Sequence, residues 1–335
     1  MPLAVATHGY PSRAAAAAAM GIPVSTLKSR LARGGATVRK NRTVRRATQS
    51  NLYTSADSGK VVTHSGQAVQ QPRRAHRSEW YAVGNRVLFD DGDTLELERL
   101  PETVLHWSCS QSPFEHPDSL AFLSTVAASY KPDLVVMHGD EADLEFAKFQ
   151  KADSMSPIAE LEHVKRFVRD VAKIFPCMLL LTSNHIHSRL KGAQAKANIP
   201  TMMMKDWPSL IEAPPDWTWR SYIIARNWLW EHGHDISRGA RGSIIEETIN
   251  RFGRPLSIMR GHHHGLHGDF MRPIWVSPTQ QVRMFYVGCL MAKRHVSYTR
   301  APLINGAAIT YRGHPLAIPM EKDRHDRWTG RLAEW

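Results

Sequence analysis

Four short clusters of carboxylate, amide and imidazole side chains each follow an apolar run of the sequence. They are His138-Gly139-Asp140-Glu141-Ala142-Asp143, Ser183-Asn184-His185, Glu231-His232-Gly233-His234 and Gly261-His262-His263-His264. Aspartate, asparagine and histidine together suit a borderline divalent ion such as Mn, Fe, Ni or Zn. A carboxylate such as Asp140 can also bridge two ions. The residue types therefore predict a site for divalent metal ions.

The apolar runs in front of these clusters predict the elements that must position them. Strands are predicted at 103–108, 134–137 and 178–181, and helices at 118–130 and 156–175. Further apolar runs lie at 222–230, 256–259, 284–287 and 307–311. A hairpin is predicted around Asp91-Gly92. Strands that alternate with helices indicate an α/β domain, and the later runs, which have less helix between them, indicate a second sheet. We therefore expect a β-sandwich flanked by helices. Open sheets bind ligands beyond the carboxyl ends of their strands, so the four clusters can converge on one point.

The net charge of +12 is confined to the first quarter of the chain. Residues up to Arg77 hold 13 of the 43 Lys and Arg residues but one of the 31 Asp and Glu residues, Asp57. The remainder carries 30 residues of each sign and is neutral. Such asymmetry predicts that the N-terminal part attracts a polyanion, and DNA or another nucleic acid is the leading candidate.

Residues 1–35 contain the pattern of two short helices joined at a tight turn. Ser12 can cap a helix over 13–20, and a second helix over 27–33 ends at Gly34-Gly35. The stretch SRAAAAAAMGIPVSTLKSRLARGG resembles a Fis-like helix-turn-helix, whose second helix enters a major groove. DNA contacts are then expected from Ser25, Thr26, Lys28, Arg30 and Arg33. The alternative is an alanine-rich helical hairpin with a solvated basic face.

Composition divides the rest of the chain into a linker and a folded body. Residues 36–78 are poor in apolar side chains and include the basic stretches VRKNRTVRR and PRRAHR, so they predict a basic flexible linker. The folded body covers 79–335 and opens with the hairpin region 79–101. The three cysteines show no CxxC spacing, so no disulfide framework or zinc ribbon is indicated. The run 14–20 is too short for a signal peptide, and no later segment has the length of a membrane span. We therefore expect a soluble, cytoplasmic protein.

The four clusters also carry a resemblance to a known superfamily. GDEAD, SNH, HGH and GHHH occur in the order of the GDxxD, GNH, HGH and GHxH motifs of the calcineurin-like metallophosphoesterases, which the chain resembles from about Thr103 to its C-terminus. PFEHPDSLAFL and RWTGRL resemble its bacteriophage and prophage branch, some members of which carry an N-terminal DNA-binding segment. The resemblance implies two mixed β-sheets packed as a sandwich flanked by helices, a two-metal site, and hydrolysis of phosphate mono- or diesters. For a phage-encoded protein, the implied location is the cytoplasm of the bacterial host.

The resemblance further implies a role for each motif residue. Asp140 bridges both ions, His264 belongs to one site, and the other site is completed by Asn184, His232 and His262. His185 is the general acid that protonates the leaving oxygen, and Asp143 helps to orient it. In this scheme the ions polarise the phosphoryl group and lower the pKa of a bridging water that attacks in line.

The first motif departs from the family pattern. Where the family has DxH, this chain has Cys109-Ser110-Gln111, so a cysteine replaces the aspartate and a glutamine replaces the histidine. Cys109 can coordinate as a thiolate or can equally be a small buried hydrophobe, and Gln111 is a weak neutral ligand. We therefore expect one ion to bind firmly and the second to bind weakly or not at all.

These observations leave functions of different classes open. The first is a metal-dependent phosphodiesterase, a candidate nuclease, that the basic N-terminal region delivers to nucleic acid and that the loss of DxH impairs. The alternative is a catalytically weak or inactive protein of the same fold that acts as a DNA-binding or regulatory factor. A phosphatase for small phosphoesters or phosphoproteins has no positive support in the sequence.

Overall fold

The chain divides into two compact units, Met1–His76 and Arg77–Trp335. The computed structural model describes residues 52–54, 61–63, 86–147, 155–196, 206–234, 241–270, 272–292 and 302–332. In the first unit, strands β1 (Leu52–Thr54) and β2 (Val61–Thr63) pair antiparallel within the segment predicted to be a linker. The predicted helix-turn-helix lies outside the described residues, with all five of its predicted DNA contacts.

The second unit contains a six-stranded mixed sheet in the order β17-β16-β5-β6-β7-β8. Its strands are β5 (Thr103–Trp107), β6 (Leu134–Met137), β7 (Met178–Leu181), β8 (Trp217–Arg220), β16 (Gly306–Tyr311) and β17 (His314–Pro319). Strands β5 to β8 run parallel, and β16 pairs antiparallel with both β5 and β17. Parallel strands buried on both faces read as continuous apolar runs, which is why β6 and β7 occupy the residues that the sequence predicted.

A seven-stranded mixed sheet has the order β12-β15-β11-β10-β9-β4-β3. Its strands are β3 (Val87–Asp90), β4 (Thr94–Leu97), β9 (Tyr222–Ala225), β10 (Trp228–Glu231), β11 (Ser257–Arg260), β12 (His267–Asp269) and β15 (Met284–Val287). Strands β10, β11 and β15 are parallel. Strands β3 and β4 form the hairpin expected around Asp91-Gly92, in which the Asp91 carboxylate accepts hydrogen bonds from the amides of Asp93 and Thr94. A separate pair, β13 (Ile274–Ser277) and β14 (Gln280–Val282), is antiparallel.

Helices flank the sandwich on the outer faces of both sheets. They are α1 (Ser119–Tyr130), α2 (Pro157–Ile174), α3 (Lys191–Lys196), α4 (Trp207–Leu210) and α5 (Arg241–Phe252), together with a 3₁₀ turn (Glu145–Ala147) and a π-helix (His185–Leu190). Helix α2 begins where Ser156 accepts a hydrogen bond from the amide of Ala159, with Pro157 at its first position. Phe122 of α1 and Val164 of α2 pack with Leu105 of the sheet in one buried cluster. Among the described helices, none combines the length and apolar character that crossing a bilayer requires.

The two sheets pack face to face over a shared apolar layer. Val104, Val136 and Leu179 of the six-stranded sheet lie in one buried cluster with Ile223 and Met259 of the seven-stranded sheet. The structure therefore confirms the predicted α/β fold, a sandwich of two mixed sheets flanked by helices. It also places the carboxyl ends of β6, β7, β10 and β11 next to the four predicted clusters.

One predicted run divides into two elements. The sequence 222–230 forms β9 and β10, which pair antiparallel. They are separated by Arg226 and Asn227, and Arg226 has a φ of 57°, in the left-handed region that a tight turn uses. The predicted run therefore spans two strands of one sheet, with the polar pair Arg226-Asn227 at the turn between them.

Candidate metal centre

Asp140 lies at the centre of the four clusters, in the loop that leaves β6. Its side chain is buried, and its backbone φ of 57° lies in the left-handed region, which costs a residue other than glycine roughly 1–3 kcal/mol. Gly139 makes this loop possible. A Cβ atom at Gly139 would lie 2.7 Å from the carbonyl oxygen of Leu181, 2.8 Å from Cβ of Ser183 and 2.9 Å from Nδ1 of His232. The missing side chain therefore lets the loop carrying Asp140 contact the ends of strands from both sheets.

One group of candidate ligands brings together Asp140, His232, His262 and Asn184. Nε2 of His232 lies 3.3 Å from Oδ2 of Asp140 and 3.0 Å from Oδ1 of Asn184. Nδ1 of His262 lies 3.2 Å from Nε2 of His232. One donor atom from each of Asp140, His232 and His262 falls within 4.8 Å of the others. The structure thus brings together all four residues predicted for the better-formed site.

A second group shares Asp140 with the first. Atoms of Cys109, Asp140 and His264 all lie within 4.8 Å of one another. Sγ of Cys109 is 3.9 Å from Oδ2 of Asp140, and Nε2 of Gln111 is 3.4 Å from the same oxygen and 3.2 Å from Nε2 of His264. The degenerate motif therefore still faces the predicted centre.

The predicted acid, His185, lies on another side of Asp140, at the start of the π-helix. Its Nε2 is 3.8 Å from Oδ2 of Asp140, and its Nδ1 is 3.4 Å from Oδ1 of Asp143. Arg189, which the sequence analysis did not select, lies 3.2 Å from Nδ1 of His185 and 3.3 Å from Oδ1 of Asp143. Since Arg189 follows His185 by four residues, a helical prediction for this segment would have placed both on one face. π-helical turns often occur at functional sites.

The charge states of Asp140, His262 and His264 at neutral pH suit cation binding. Burial would raise the pKa of Asp140, but the imidazoles of His185 and His232 outweigh it and hold that pKa well below the usual range. Burial lowers the pKa of His262 to about 3, with a contribution from His232, and lowers that of His264 to about 4. Asp140 is therefore ionised while His262 and His264 are neutral, the forms in which these side chains bind metals.

His232 has the opposite shift. Burial opposes protonation of its ring, but the Asp140 carboxylate outweighs burial and raises the pKa of His232. The protonated His232 ring stabilises the buried Asp140 carboxylate by its positive charge. A bound cation would stabilise the same carboxylate in the same way.

A network behind the ligands was missed by the sequence analysis. Nδ1 of His138 donates to the backbone carbonyl of Glu231 at 3.0 Å, and His138 Nε2 lies 3.1 Å from Nδ1 of His106. Nε2 of His106 lies 3.0 Å from the hydroxyl of Thr310. Because a carbonyl can only accept, the chain has one consistent direction: Thr310 to His106 to His138 to Glu231. Both rings are fully buried and their pKa values are lowered, chiefly by burial, so they are neutral.

Two further buried groups fix the loops around the ligands. Arg260 and Glu231 form an ion pair at 2.7 Å between β11 and β10. Arg260 lies two residues before His262, and Glu231 lies one residue before His232. Glu141 accepts hydrogen bonds from Nε1 of Trp207 at 2.6 Å and from Nε1 of Trp219 at 3.2 Å. Removing one member of such a buried pair leaves a charge or polar group without compensation.

The residues fit a pair of divalent ions. Oδ1 of Asp140 and Oε1 of Gln111 are buried and have no hydrogen-bond partner within the part of the chain that the structure describes. Buried polar atoms are almost always hydrogen-bonded, so these two oxygens are suited to another partner. A carboxylate shared by two groups of nitrogen, oxygen and sulfur donors is the donor set of a two-metal site.

Comparison with known proteins gave structural similarities only. No protein-family model matches the chain, and no curated protein is significantly similar to it. Vacuolar protein sorting 29 from Cryptosporidium parvum has 10% identity and a TM-score of 0.38, with 70% of this chain and 95% of that chain covered. YfcE, a phosphoesterase from E. coli, has 10% identity and a TM-score of 0.33, with coverage of 62% and 87%. The nuclease MPE from Pseudomonas putida has 13% identity and a TM-score of 0.29, with 66% of this chain and 87% of that chain covered. At these TM-scores the similarities establish no activity, which must be inferred from the geometry around Asp140.

Proposed function

We propose that the chain is a metal-dependent phosphoesterase of the calcineurin-like superfamily that hydrolyses phosphodiesters, with nucleic acid as its substrate. One observation carries the proposal: Asp140 is shared by two groups of metal-ligating side chains, and His185 lies beside the same carboxylate. This arrangement supports a site for two cations next to a group that can donate a proton.

When bound, divalent ions at these positions supply Lewis acidity to the phosphoryl oxygens and lower the pKa of the attacking water. The chain's own residues hold the donors in place and supply the proton for the leaving oxygen. An arginine can only donate, so the contact from Arg189 leaves Nδ1 of neutral His185 without a proton. The ring proton then lies on Nε2, the atom that faces Asp140. His185 is thereby arranged to donate toward the centre.

Asp143 acts on His185 through Arg189. Its carboxylate and its backbone carbonyl both accept hydrogen bonds from Nη1 of Arg189. The guanidinium therefore stays beside the His185 ring. In this proposal Asp143 and Arg189 are positioning residues, and His185 is the catalytic acid.

The choice of nucleic acid as substrate rests on charge. Residues up to Arg77 carry the whole net charge of the chain, and the proposed catalytic body is neutral. We propose that this basic segment binds DNA, with Ser25, Thr26, Lys28, Arg30 and Arg33 as its contacts. Each phosphate that Lys or Arg neutralises releases counterions, so this binding should weaken steeply with salt.

The replaced motif favours a second candidate function. Cys109 and Gln111 supply neither the carboxylate nor the imidazole of DxH. A protein that keeps the fold and one ion but has lost hydrolysis would act as a DNA-binding or regulatory factor. It would bind DNA as strongly as the first candidate and would cleave no phosphodiester.

The experiment that tests the proposal measures hydrolysis of bis(4-nitrophenyl) phosphate and of DNA by protein loaded with Mn²⁺ or Zn²⁺. Asp140→Asn keeps the shape of the side chain and removes the charge that both groups share. His314→Ala, which removes an exposed imidazole on β17, is the matched control. The proposal predicts hydrolysis by wild type and by His314→Ala, and its loss in Asp140→Asn. A folded, metal-loaded wild type without hydrolysis would favour the second candidate.

A further inference from the structure

We propose that Cys109, Gln111, Asp140 and His264 form a thiolate metal site that selects a thiophilic divalent ion such as Zn²⁺ over Mn²⁺. The neighbouring site of Asp140, Asn184, His232 and His262 has no thiolate and holds either ion. The inference rests on the two-metal centre of the proposed function, but it does not require that the centre hydrolyses anything.

The donor atoms of this site lie together in a buried space. Sγ of Cys109, a carboxylate oxygen of Asp140 and a ring nitrogen of His264 are mutually within 4.8 Å. Cys109 is fully buried, and Gln111 and Asp140 are each 1% exposed. Two buried oxygens here, Oε1 of Gln111 and Oδ1 of Asp140, have no hydrogen-bond partner among the described residues. Oδ1 of Asp140 is thus available to a ligand that the protein itself does not supply.

The Gln111 amide can serve such a ligand by rotation. Its nitrogen now contacts Oδ2 of Asp140 and Nε2 of His264, the two atoms that would bind an ion. Turning the amide by half a turn places its oxygen there instead, because the two ends of an amide have nearly the same shape. Gln111 can thus satisfy His264 and Asp140 without an ion and can offer an oxygen when an ion is bound.

The backbone around Cys109 holds its side chain in this position at a cost. Cys109 and Gln111 have φ values of 50° and 48°, both in the left-handed region. Amide hydrogen bonds from Cys109 to the Gly139 carbonyl, at 3.0 Å, and from Gln111 to the Asp140 carbonyl, at 2.8 Å, keep this loop beside Asp140. Such conformations cost of order 1–3 kcal/mol each and cluster at ligand sites.

A sulfur ligand changes which ion the site prefers. Thiolates select Zn²⁺ and other thiophilic ions, whereas carboxylate and carbonyl oxygens suit Mn²⁺. Binding replaces the proton of the Cys109 thiol, and that proton leaves to solvent. The other site offers one carboxylate, one amide oxygen and two imidazoles, which bind both kinds of ion.

Metal content after saturation and dialysis tests the selectivity directly. We expect wild type to retain about two zinc ions but about one manganese ion per chain, and Cys109→Asp to retain about two of either ion, because a carboxylate replaces the thiolate. Equal numbers of zinc and manganese in wild type would overturn the proposal. Hydrolysis is measured on the same samples, so an inactive protein with two zinc ions would refute the proposed function and leave this inference standing.

Cobalt gives a second measurement that does not depend on stoichiometry. Co²⁺ bound to a thiolate absorbs strongly in the near ultraviolet through sulfur-to-metal charge transfer. Cys289→Ser is the matched control, because Cys289 is buried in the same small cluster as Cys109 but belongs to neither group of ligands. We expect the absorption in wild type and in Cys289→Ser, and its loss in Cys109→Ser with the circular dichroism unchanged. Absorption that survives in Cys109→Ser, or that is absent from cobalt-loaded wild type, would contradict a thiolate ligand.

Discussion

Nδ1 of His232 donates a hydrogen bond to the backbone carbonyl of His138, at 2.5 Å, across the gap between the two sheets. His138 directly follows β6 of the six-stranded sheet, and His232 directly follows β10 of the seven-stranded sheet. Since the carbonyl can only accept, the ring proton of neutral His232 lies on Nδ1 and the lone pair of Nε2 faces Asp140 and Asn184. This bond therefore links the two sheets beside Asp140 and fixes the atom that His232 turns toward Asp140 and Asn184.

The separate roles of two histidines give the first prediction. His185→Ala should keep its metal but lose roughly 10²- to 10⁴-fold in turnover on substrates with an alkoxide leaving group. An activated aryl ester should be much less affected, because its leaving oxygen needs no proton. His262→Ala should lose metal and slow both substrates alike. Metal analysis beside the two rates checks this; equal depletion of metal in both variants would show that His185 is a ligand rather than an acid.

Arg189 should matter to the same step without binding metal. We expect Arg189→Ala to slow the alkoxide substrate by about 10- to 100-fold, the usual effect of removing a group that orients a catalytic side chain. Arg189→Lys should restore part of the rate, because an ammonium can still donate to Asp143 or His185. The ratio of rates on alkoxide and aryl substrates distinguishes this role from a structural one. A uniform loss on both substrates would argue against it.

Restoring the first motif should raise activity with manganese. Cys109→Asp combined with Gln111→His supplies the carboxylate and imidazole that the family pattern has at these positions. We expect hydrolysis with Mn²⁺ to rise by about tenfold or more, a change of the size that repairs to metal sites produce. The check is the rate per bound ion at saturating metal. If the double variant binds two manganese ions and gains nothing, the first motif does not limit the reaction.

The strands around the centre were predictable because each of them is a continuous apolar run. β6, β7 and β15 occupy the predicted residues, and the polar clusters after β6 and β7 mark the edge where ligands gather. The contributions of Arg189 and His106 were not predictable in this way. Their partners are set by the π-helical turn and by the packing of one sheet on the other, and neither leaves a periodic pattern in the sequence.

The predicted ligands and their division into two groups came from the resemblance carried by the four motifs, and the structure supplied the distances between them. Asp140, His232 and His262 share one end of both sheets because β10 and β11 are parallel and adjacent. That Cys109 faces Asp140 follows from the left-handed backbone at Cys109, which nothing in the sequence indicates.

The buried histidines should make the metal-free protein sensitive to acid. Burial lowers the pKa of His138 to about 3, whereas in the unfolded chain it is near 6.5. Between these values the unfolded state binds the extra proton, so stability is lost as the pH falls below about 6.5. We expect His138→Gln to reduce the slope of unfolding free energy against pH, between pH 6 and 4, by about 1.4 kcal/mol per pH unit. Urea unfolding of wild type and His138→Gln at several pH values, with chelator present, measures this slope. The same slope in both proteins would mean that His138 is protonated in the folded state.

Removal of the basic segment should separate binding from folding. We expect a chain that begins after Arg77 to keep the sandwich, because the second compact unit spans Arg77–Trp335 and has its own core. Its affinity for duplex DNA should fall to the level of a neutral protein, and the steep salt dependence should disappear with it. Titration of labelled DNA at two salt concentrations checks both points. Full affinity in the truncated chain would place the DNA-binding surface on the body.

The most direct test of the central claim is hydrolysis of a phosphodiester by zinc-loaded wild type and by zinc-loaded Asp140→Asn, before and after chelation. Asp140 is the residue that both groups of ligands share. We predict hydrolysis that chelator abolishes, that added zinc restores, and that Asp140→Asn lacks. A folded wild type that holds its metal and hydrolyses no phosphodiester would contradict the account, as would activity that persists in Asp140→Asn.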